Sequence, residues 1–181
     1  MSTTDIVFRL AEKAKAMGLE AACVNIAGIV INPDFRKYCA ENRCGQYDAN
    51  YSCPPACGAV EEMSAVLMGF ARGLVVRSTW DIESYSDRET IFKAKKQHNE
   101  AMLTLCDGLR QEAISCKMCG ASHCLLCDAC AKLRGEPCRE PERRYSCLSA
   151  YCIDVAKLAE SAGMDFSWSE KKLSLYGLIA F

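Results

Sequence analysis

The stretch His123-Cys124-Leu125-Leu126-Cys127-Asp128-Ala129-Cys130 places three cysteines at intervals of three residues, and Cys138 follows after seven more residues. One tight loop with this spacing can offer three thiolates to one face of a cubic iron–sulfur cluster, while the fourth ligand arrives from farther along the chain. A tetrahedral zinc site more often uses two separated C-x2-C hooks. The spacing therefore favours a [4Fe–4S] cluster, with zinc as the alternative. The predicted ligands are Cys124, Cys127, Cys130 and Cys138.

Regular secondary structure is predicted on both sides of this loop from apolar periodicity and β-branched runs. The predicted helices lie near residues 4–17, 60–71, 88–114 and 148–162. The predicted strands lie near residues 21–31, 73–79 and 173–181. This order predicts an α+β fold, with a small mixed or antiparallel sheet packed against helices. Two cysteine-rich, cluster-binding loops interrupt it, about residues 39–57 and 116–147, within a single metal-binding domain over residues 1–181.

The first of these loops carries four more cysteines within 19 residues. Their spacing fits no general metal rule. Structural thiols, however, usually lie in periodic apolar segments, whereas this loop is rich in Gly, Asn, Ser and Pro. A second iron–sulfur cluster is the prediction, with zinc again as the alternative, and Cys57 can also be read as a helix-start residue. The candidate ligands are Cys39, Cys44, Cys53 and Cys57.

The composition limits the compartment and the partners. The chain has 14 cysteines among 181 residues, and 22 Lys and Arg against 23 Asp and Glu. Balanced charge argues against a nucleic-acid partner, because phosphate binding needs a basic surface. The first residues lack the pattern of a secretory signal, and no uncharged apolar run reaches the roughly 18 residues of a membrane span. We therefore expect a cytoplasmic protein without a membrane partner, in which clustered thiols bind metal rather than form disulfides.

Several short strings resemble a known family when taken together. They are Cys44-Gly45-Gln46-Tyr47, residues 51–55 with the sequence YSCPP, the second-loop cysteines with residues 136–141, and Ile153-Asp154-Val155. In this order they resemble the cysteine-rich "predicted metal-binding" proteins found largely in anaerobic bacteria and archaea, over roughly residues 22–160. The resemblance implies a metal or iron–sulfur site and names no reaction. The matching cysteines are Cys39, Cys44, Cys53, Cys124, Cys127, Cys130 and Cys138.

Six cysteines lie outside these two sets. Cys23 and Cys106 occur in apolar periodic segments and are most simply small core residues. A C-x2-C hook precedes the triple motif, and two further cysteines, absent from the family pattern, flank the start of the predicted last helix. We consider a third site formed by these four, against the alternative that Cys152 faces the core. The residues of this third set are Cys116, Cys119, Cys147 and Cys152.

Three functions are compatible with these patterns. The first is electron transfer by two [4Fe–4S] clusters with a redox partner protein in an anaerobic pathway, because four thiolates per cubane leave no open iron. The second is an iron–sulfur enzyme whose open-coordination iron binds a small substrate. The third is a zinc-stabilised interaction module. The sequence leaves open whether the protein is an enzyme, and it does not fix the oligomeric state.

Overall fold

The computed structural model describes residues 2–181, and these residues form an α+β fold with five α-helices and five strands. The helices are α1 Thr3–Ala16, α2 Arg36–Ala40, α3 Val60–Met68, α4 Arg88–Gln111 and α5 Val155–Ser161. The strands are β1 Glu20–Asn25, β2 Arg72–Asp81, β3 Lys117–Gly120, β4 Ser146–Cys147 and β5 Lys172–Ala180. Short 3-10 helices cover Ile26–Gly28, Pro33–Phe35 and Ala131–Arg134.

The five strands form one mixed sheet in the order β1-β2-β5-β3-β4. All neighbouring pairs are antiparallel except β3 and β4, which run parallel. The longest pairing joins β2 and β5, from Gly73 opposite Ala180 to Asp81 opposite Lys172. The predicted fold class is therefore confirmed, including the mixed sheet.

Helices cover both faces of this sheet. On one face α1 and α4 pack through apolar side chains such as Leu10 and Met102 onto strand residues such as Leu74 and Ile179. On the other face α3 and α5 pack onto Val75 and its neighbours. The first cysteine-rich loop joins α2 to α3, and the second joins β3 to β4. The packed helices and strands therefore fix where each loop begins and ends.

The segment that follows the second loop differs from its prediction. The apolar stripe over residues 148–162 predicts one helix, but α5 begins only at Val155, and Asp154 caps it by accepting a hydrogen bond from the Lys157 N–H at 3.1 Å. Residues before Asp154 instead form turns that follow β4. Their apolar side chains are buried because these turns pack on the sheet, and such burial imitates a helical stripe.

Within residues 2–181, the structure contains no helix that combines the length and the apolar character needed to cross a membrane.

Candidate metal centres

The four predicted ligands of the second loop line one small pocket. Cys130 directly precedes the 3-10 helix Ala131–Arg134, and Gly135 then reverses the chain in a left-handed conformation, with φ 67. That turn carries the chain back towards the triple motif, so that Cys138 joins the other three. The same pocket is walled by Asn50 and Tyr51 of the first loop and by Arg144.

Two buried polar residues of the first loop hold the triple motif in place. The Ser52 hydroxyl accepts a hydrogen bond from the Cys124 N–H at 2.9 Å and donates its own proton to Asn50 Oδ1 at 2.8 Å. The Asn50 amide in turn donates to the Cys124 carbonyl at 3.4 Å. From the other side, the Tyr145 hydroxyl accepts from the Leu125 N–H at 3.0 Å. The loop backbone is therefore oriented by residues outside the motif.

The second-loop thiols lie within electrostatic reach of one another. Burial raises the pKa of Cys124, and the thiolates of Cys138 and Cys127 raise it further. Burial also raises the pKa of Cys127, with Cys138 and Cys130 adding to the shift. Several thiolates gathered at one place are unfavourable until a cation neutralises them, which is the chemistry of a metal centre.

The first loop also gathers thiols, but in a different combination from the predicted one. Cys39 lies in α2, Cys44 is exposed in the following turn, and Cys53 is buried. Burial raises the pKa of Cys39 to about 11, and the thiolate of Cys147 is the next largest cause. Burial raises the pKa of Cys53 to about 12, where Cys147 and Cys44 contribute after the Ser52 hydrogen bond, which lowers it. Cys147 of β4 thus accompanies the first-loop thiols.

The predicted fourth first-loop residue, Cys57, has other neighbours. The Arg36 guanidinium donates to Cys57 Sγ at 3.5 Å and to the Gly58 carbonyl at 3.4 Å. Cys152 lies near the same guanidinium, which lowers its pKa against the larger raising effect of burial. Cys57 also lines a separate cleft, which does not include the other first-loop cysteines. Cys57 is nevertheless next to Cys53, because its N–H donates to the Cys53 carbonyl at 3.0 Å and its thiolate raises the pKa of Cys53 after those of Cys147 and Cys44. The structure therefore brings Cys39, Cys44 and Cys53 together, with Cys57 beside Cys53 and its sulfur in contact with Arg36.

The four residues of the predicted third set do not come together. Cys116 packs with the core on the α4 side of the sheet, and its thiol donates to the Cys106 carbonyl at 3.7 Å. Cys119, in β3, is buried in the core on the opposite face. Strand β3 separates these two sulfurs because residues three apart on a strand point to opposite faces. Cys147 neighbours Cys119 across the β3–β4 pair and also lies beside the first-loop thiols, while Cys152 lies beside Arg36. The structure therefore brings only Cys119 and Cys147 of this set together.

All 14 cysteines are free thiols in the structure. Within residues 2–181, no three or more Cys, His, Asp or Glu side chains are grouped tightly enough to hold one metal ion. The second-loop cysteines surround a pocket rather than converge on a point. Four thiols around one pocket are the ligand set of a tetrahedral zinc site and of a cubane alike, so the residues present are compatible with a metal centre.

The model of the family described as "Predicted metal-binding protein (DUF2284)" matches residues 22–181. The chain belongs to this family. Comparison with curated proteins and with solved structures finds no match. For this member of the DUF2284 family, the many free thiols and the family description together support a metal cofactor.

Sequence patterns did not identify the residues that hold the cysteine-rich loops of this DUF2284 protein in place. Ser52 was visible only as part of the YSCPP string, and Asn50, Tyr145 and Arg36 carry no motif of their own. Their roles depend on contacts across 72 residues for Ser52 and Cys124, and 20 residues for Tyr145 and Leu125. The structure shows that Asn50 and Ser52 are buried polar residues in a loop, and such burial indicates that their hydrogen bonds hold the loop in place.

Proposed function

We propose that this protein transfers electrons through two [4Fe–4S] clusters in a cytoplasmic, anaerobic redox pathway. The observation that carries the proposal is the pocket lined by all four cysteines of the C-x2-C-x2-C-x7-C motif. That motif supplies four thiolates, the full ligand set of a cubane. The ligands proposed for this centre are Cys124, Cys127, Cys130 and Cys138.

The arrangement of the second-loop thiols supports a cluster over a zinc ion. Zinc needs its ligand atoms within about 2.0–2.3 Å of one point. In a cubane each thiolate binds a different iron, so one tight loop can supply three of the four ligands. The spacing of Cys124, Cys127 and Cys130 supports this second geometry.

Electron transfer is favoured over catalysis because the ligand set is closed. When bound, a cluster with four thiolate ligands exchanges an electron without opening a coordination position. The protein's part is to hold those thiolates fixed: the hydrogen bonds from Cys124 to Ser52 and from Leu125 to Tyr145 tie the loop backbone to buried side chains. Fixed ligands keep the reorganisation small when the charge changes.

The mouth of the pocket offers a place for a redox partner. Cys127 is partly exposed there. Most basic side chains of this loop are neutralised within the chain, as in the pairs Lys132–Asp48 at 2.7 Å and Arg139–Glu136 at 3.4 Å. Arg144 forms no salt bridge with any residue of the described chain and lies 5.9 Å from the Tyr51 ring centre. We place the docking of an acidic partner protein around Arg144.

Anaerobic purification followed by reduction with dithionite tests this function. We expect a brown protein that bleaches on reduction and gains an electron paramagnetic resonance signal. Cys130→Ala removes one proposed ligand, and about half of the signal should disappear. Cys23→Ala, which removes a thiol outside both groups, is the matched control and should keep the whole signal.

The same samples distinguish the alternatives. A colourless protein with stoichiometric zinc contradicts the proposal and indicates a zinc-stabilised interaction module. An iron–sulfur signal that shifts when cyanide is added indicates an iron without a thiolate, and so favours an enzyme that binds a small substrate there. A signal that cyanide does not change supports electron transfer.

A further inference from the structure

The fourth ligand of the first metal centre can come from two places. Cys39, Cys44 and Cys53 lie together, and Cys57 is next to Cys53, but the Cys57 sulfur accepts a hydrogen bond from the Arg36 guanidinium. Three thiolates leave one iron of a cubane without a protein ligand. The structure contains one more thiol in the right place, on a strand that is more than 90 residues away along the chain from Cys53.

Strand β4 is held where it meets the first loop. Its register places Cys147 opposite Gly120 of β3, and the Leu148 N–H donates to the Gly120 carbonyl at 3.0 Å. The Cys147 carbonyl then accepts from the Ala150 N–H at 3.0 Å, which closes a tight turn. The position of the Cys147 backbone is therefore set by the sheet rather than by any bound metal.

The turn that begins at Cys147 contacts the first loop directly. Cys39 Sγ lies 3.8 Å from the Ser149 carbonyl oxygen, inside this turn. Farther along, the Asn32 N–H donates to the Cys152 carbonyl at 2.9 Å, and Ile31 bridges to Ile153. These contacts fasten the segment after β4 to the segment that leads into α2, which carries Cys39.

The charges in this region agree with the geometry. Burial raises the pKa of Cys147, and the nearby thiolate of Cys44 raises it further. Of the neighbouring thiolates, Cys147 raises the pKa of both Cys39 and Cys53 the most. Each of the four thiols is therefore within electrostatic reach of at least two of the others.

Cys57 is satisfied elsewhere. Its sulfur accepts from the Arg36 guanidinium, which also donates to the Met63 sulfur at 3.5 Å. A sulfur that already accepts hydrogen bonds from a guanidinium must give them up before it can bind a metal. Its cleft is lined by Tyr51, Lys117 and their neighbours rather than by the other first-loop thiols.

We propose that Cys147 is the fourth ligand of the first metal centre, with Cys39, Cys44 and Cys53, and that Cys57 is not a ligand. This inference rests on the proposed function, because it assigns the ligands of one of its two clusters. It closes the coordination of that cluster with four thiolates. Both centres then suit electron transfer, and no iron is left open for a substrate.

The test compares Cys147→Ala with Cys57→Ala in the full chain, both purified anaerobically beside the wild type. We expect about eight iron and eight sulfide per wild-type chain, and about four of each in Cys147→Ala, because one of two cubanes is lost. Cys57→Ala should keep the wild-type content. The second-loop signal in electron paramagnetic resonance, which should persist in both variants, shows that Cys147→Ala remains folded.

Two results overturn the assignment. One is a full metal content in Cys147→Ala, and the other is a loss in Cys57→Ala equal to or larger than that in Cys147→Ala. If the wild type holds zinc instead, the proposed function fails but the ligand assignment is still decided, because Cys147→Ala alone should lose one zinc equivalent. A wild type without any metal contradicts both.

Discussion

Single side chains outside the cysteine motifs determine how well the second loop is held. The Tyr145 hydroxyl accepts from the Leu125 N–H, and its ring is buried with 2% of the residue exposed. Burial also raises the pKa of Tyr145 well above its usual value, so the phenol stays neutral. A neutral hydroxyl at this place is an acceptor for the loop backbone and does not change with pH in the physiological range.

Tyr145→Phe removes this acceptor while it keeps the ring. We expect a loss of about 1 kcal/mol in the free energy of unfolding, because the Leu125 N–H loses its partner in a partly buried place. Urea unfolding followed by circular dichroism under anaerobic conditions measures it. Tyr38→Phe, at a tyrosine that is 57% exposed, is the matched control and should stay within about 0.5 kcal/mol of the wild type. Equal losses in both variants would contradict the role of the Tyr145 hydroxyl.

His98 gives the stability of the protein a pH dependence. The residue is fully buried in α4, and its Nδ1 lies 2.7 Å from the Ser78 hydroxyl, which accepts from the Trp80 indole N–H at 2.8 Å. Burial lowers the pKa of His98 from 6.5 to about 4. The imidazole is therefore neutral in the folded protein at pH 6, whereas in the unfolded chain it is largely protonated.

Since the folded pKa of His98 is lowered, its contribution is present above pH 6.5 and is lost as pH falls towards 4. Between pH 6.5 and 5 we expect a decrease of about 1.6 kcal/mol in the free energy of unfolding, with a slope that approaches about 1.4 kcal/mol per pH unit below pH 6. Urea midpoints at several pH values measure this slope. His98→Gln should remove most of this pH dependence. His123→Gln, which changes the other histidine, should retain most of it. If the free energy of unfolding of His98→Gln falls with pH as steeply as that of the wild type, His98 is not the cause of the pH dependence.

Ligand spacing within one loop is readable from sequence, but ligands from different elements are not. The three cysteines of residues 124–130 are predictable because the spacing itself places them on one turn. Cys147 carries no such signal, since its position beside Cys39 follows from the pairing of β4 with β3. Cys57 is a different case: its sequence neighbourhood suggests a ligand, and the structure adds a contact that the sequence does not show, from the Arg36 guanidinium to its sulfur.

At the scale of elements, the crossing of α4 over β5 depends on one glycine. A Cβ at Gly177 would overlap the Met102 sulfur and lie 3.2 Å from the Cys119 carbonyl oxygen. Met102 is fully buried, so its side chain has little room to move away. The absence of a Cβ at Gly177 therefore lets Met102 of α4 pack directly against the backbone of β5.

Gly177→Ala should therefore destabilise the protein by about 1–3 kcal/mol, the usual cost of an overfilled core. The urea midpoint at neutral pH reports it. Gly28→Ala is the matched control, because a Cβ there meets nothing within 4 Å, and its midpoint should be unchanged. A Gly177→Ala protein as stable as the wild type would mean that Met102 repacks freely.

Elements with regular periodicity were predictable, and those made by tertiary contact were not. Helix α4 and strand β5 follow their apolar patterns closely, at Arg88–Gln111 and Lys172–Ala180. The short strands β3 and β4 lie inside a cysteine-rich segment without periodicity, and pairing rather than propensity forms them. The stripe before α5 predicted helix because buried turns carry the same apolar residues.

At the scale of the whole molecule, a stable sheet carries two loops that hold one another. Tyr51 of the first loop donates to the Glu136 carbonyl at 2.8 Å, and Lys132 of the second loop donates to the Asp48 carbonyl at 2.7 Å. These links join the walls of the second-loop pocket to the first loop. Loss of metal from one centre should therefore also loosen the loop of the other centre.

Metal removal should loosen the loops and spare the sheet. Chelation removes the cross-links that a bound metal makes between the second-loop thiols, so residues 121–138 lose that restraint. Hydrogen exchange read by mass spectrometry should show lost protection in that segment and in residues 44–57, while the paired strands β2 and β5 keep theirs. Loss of protection across the whole sheet would show instead that the metal holds the entire fold.

The central claim is that the two thiol groups hold iron–sulfur clusters, and the metal content of the protein tests it most directly. Iron, acid-labile sulfide and zinc are measured per chain after anaerobic purification. We predict about eight iron and eight sulfide, with no stoichiometric zinc. One or two zinc per chain without sulfide would contradict the claim.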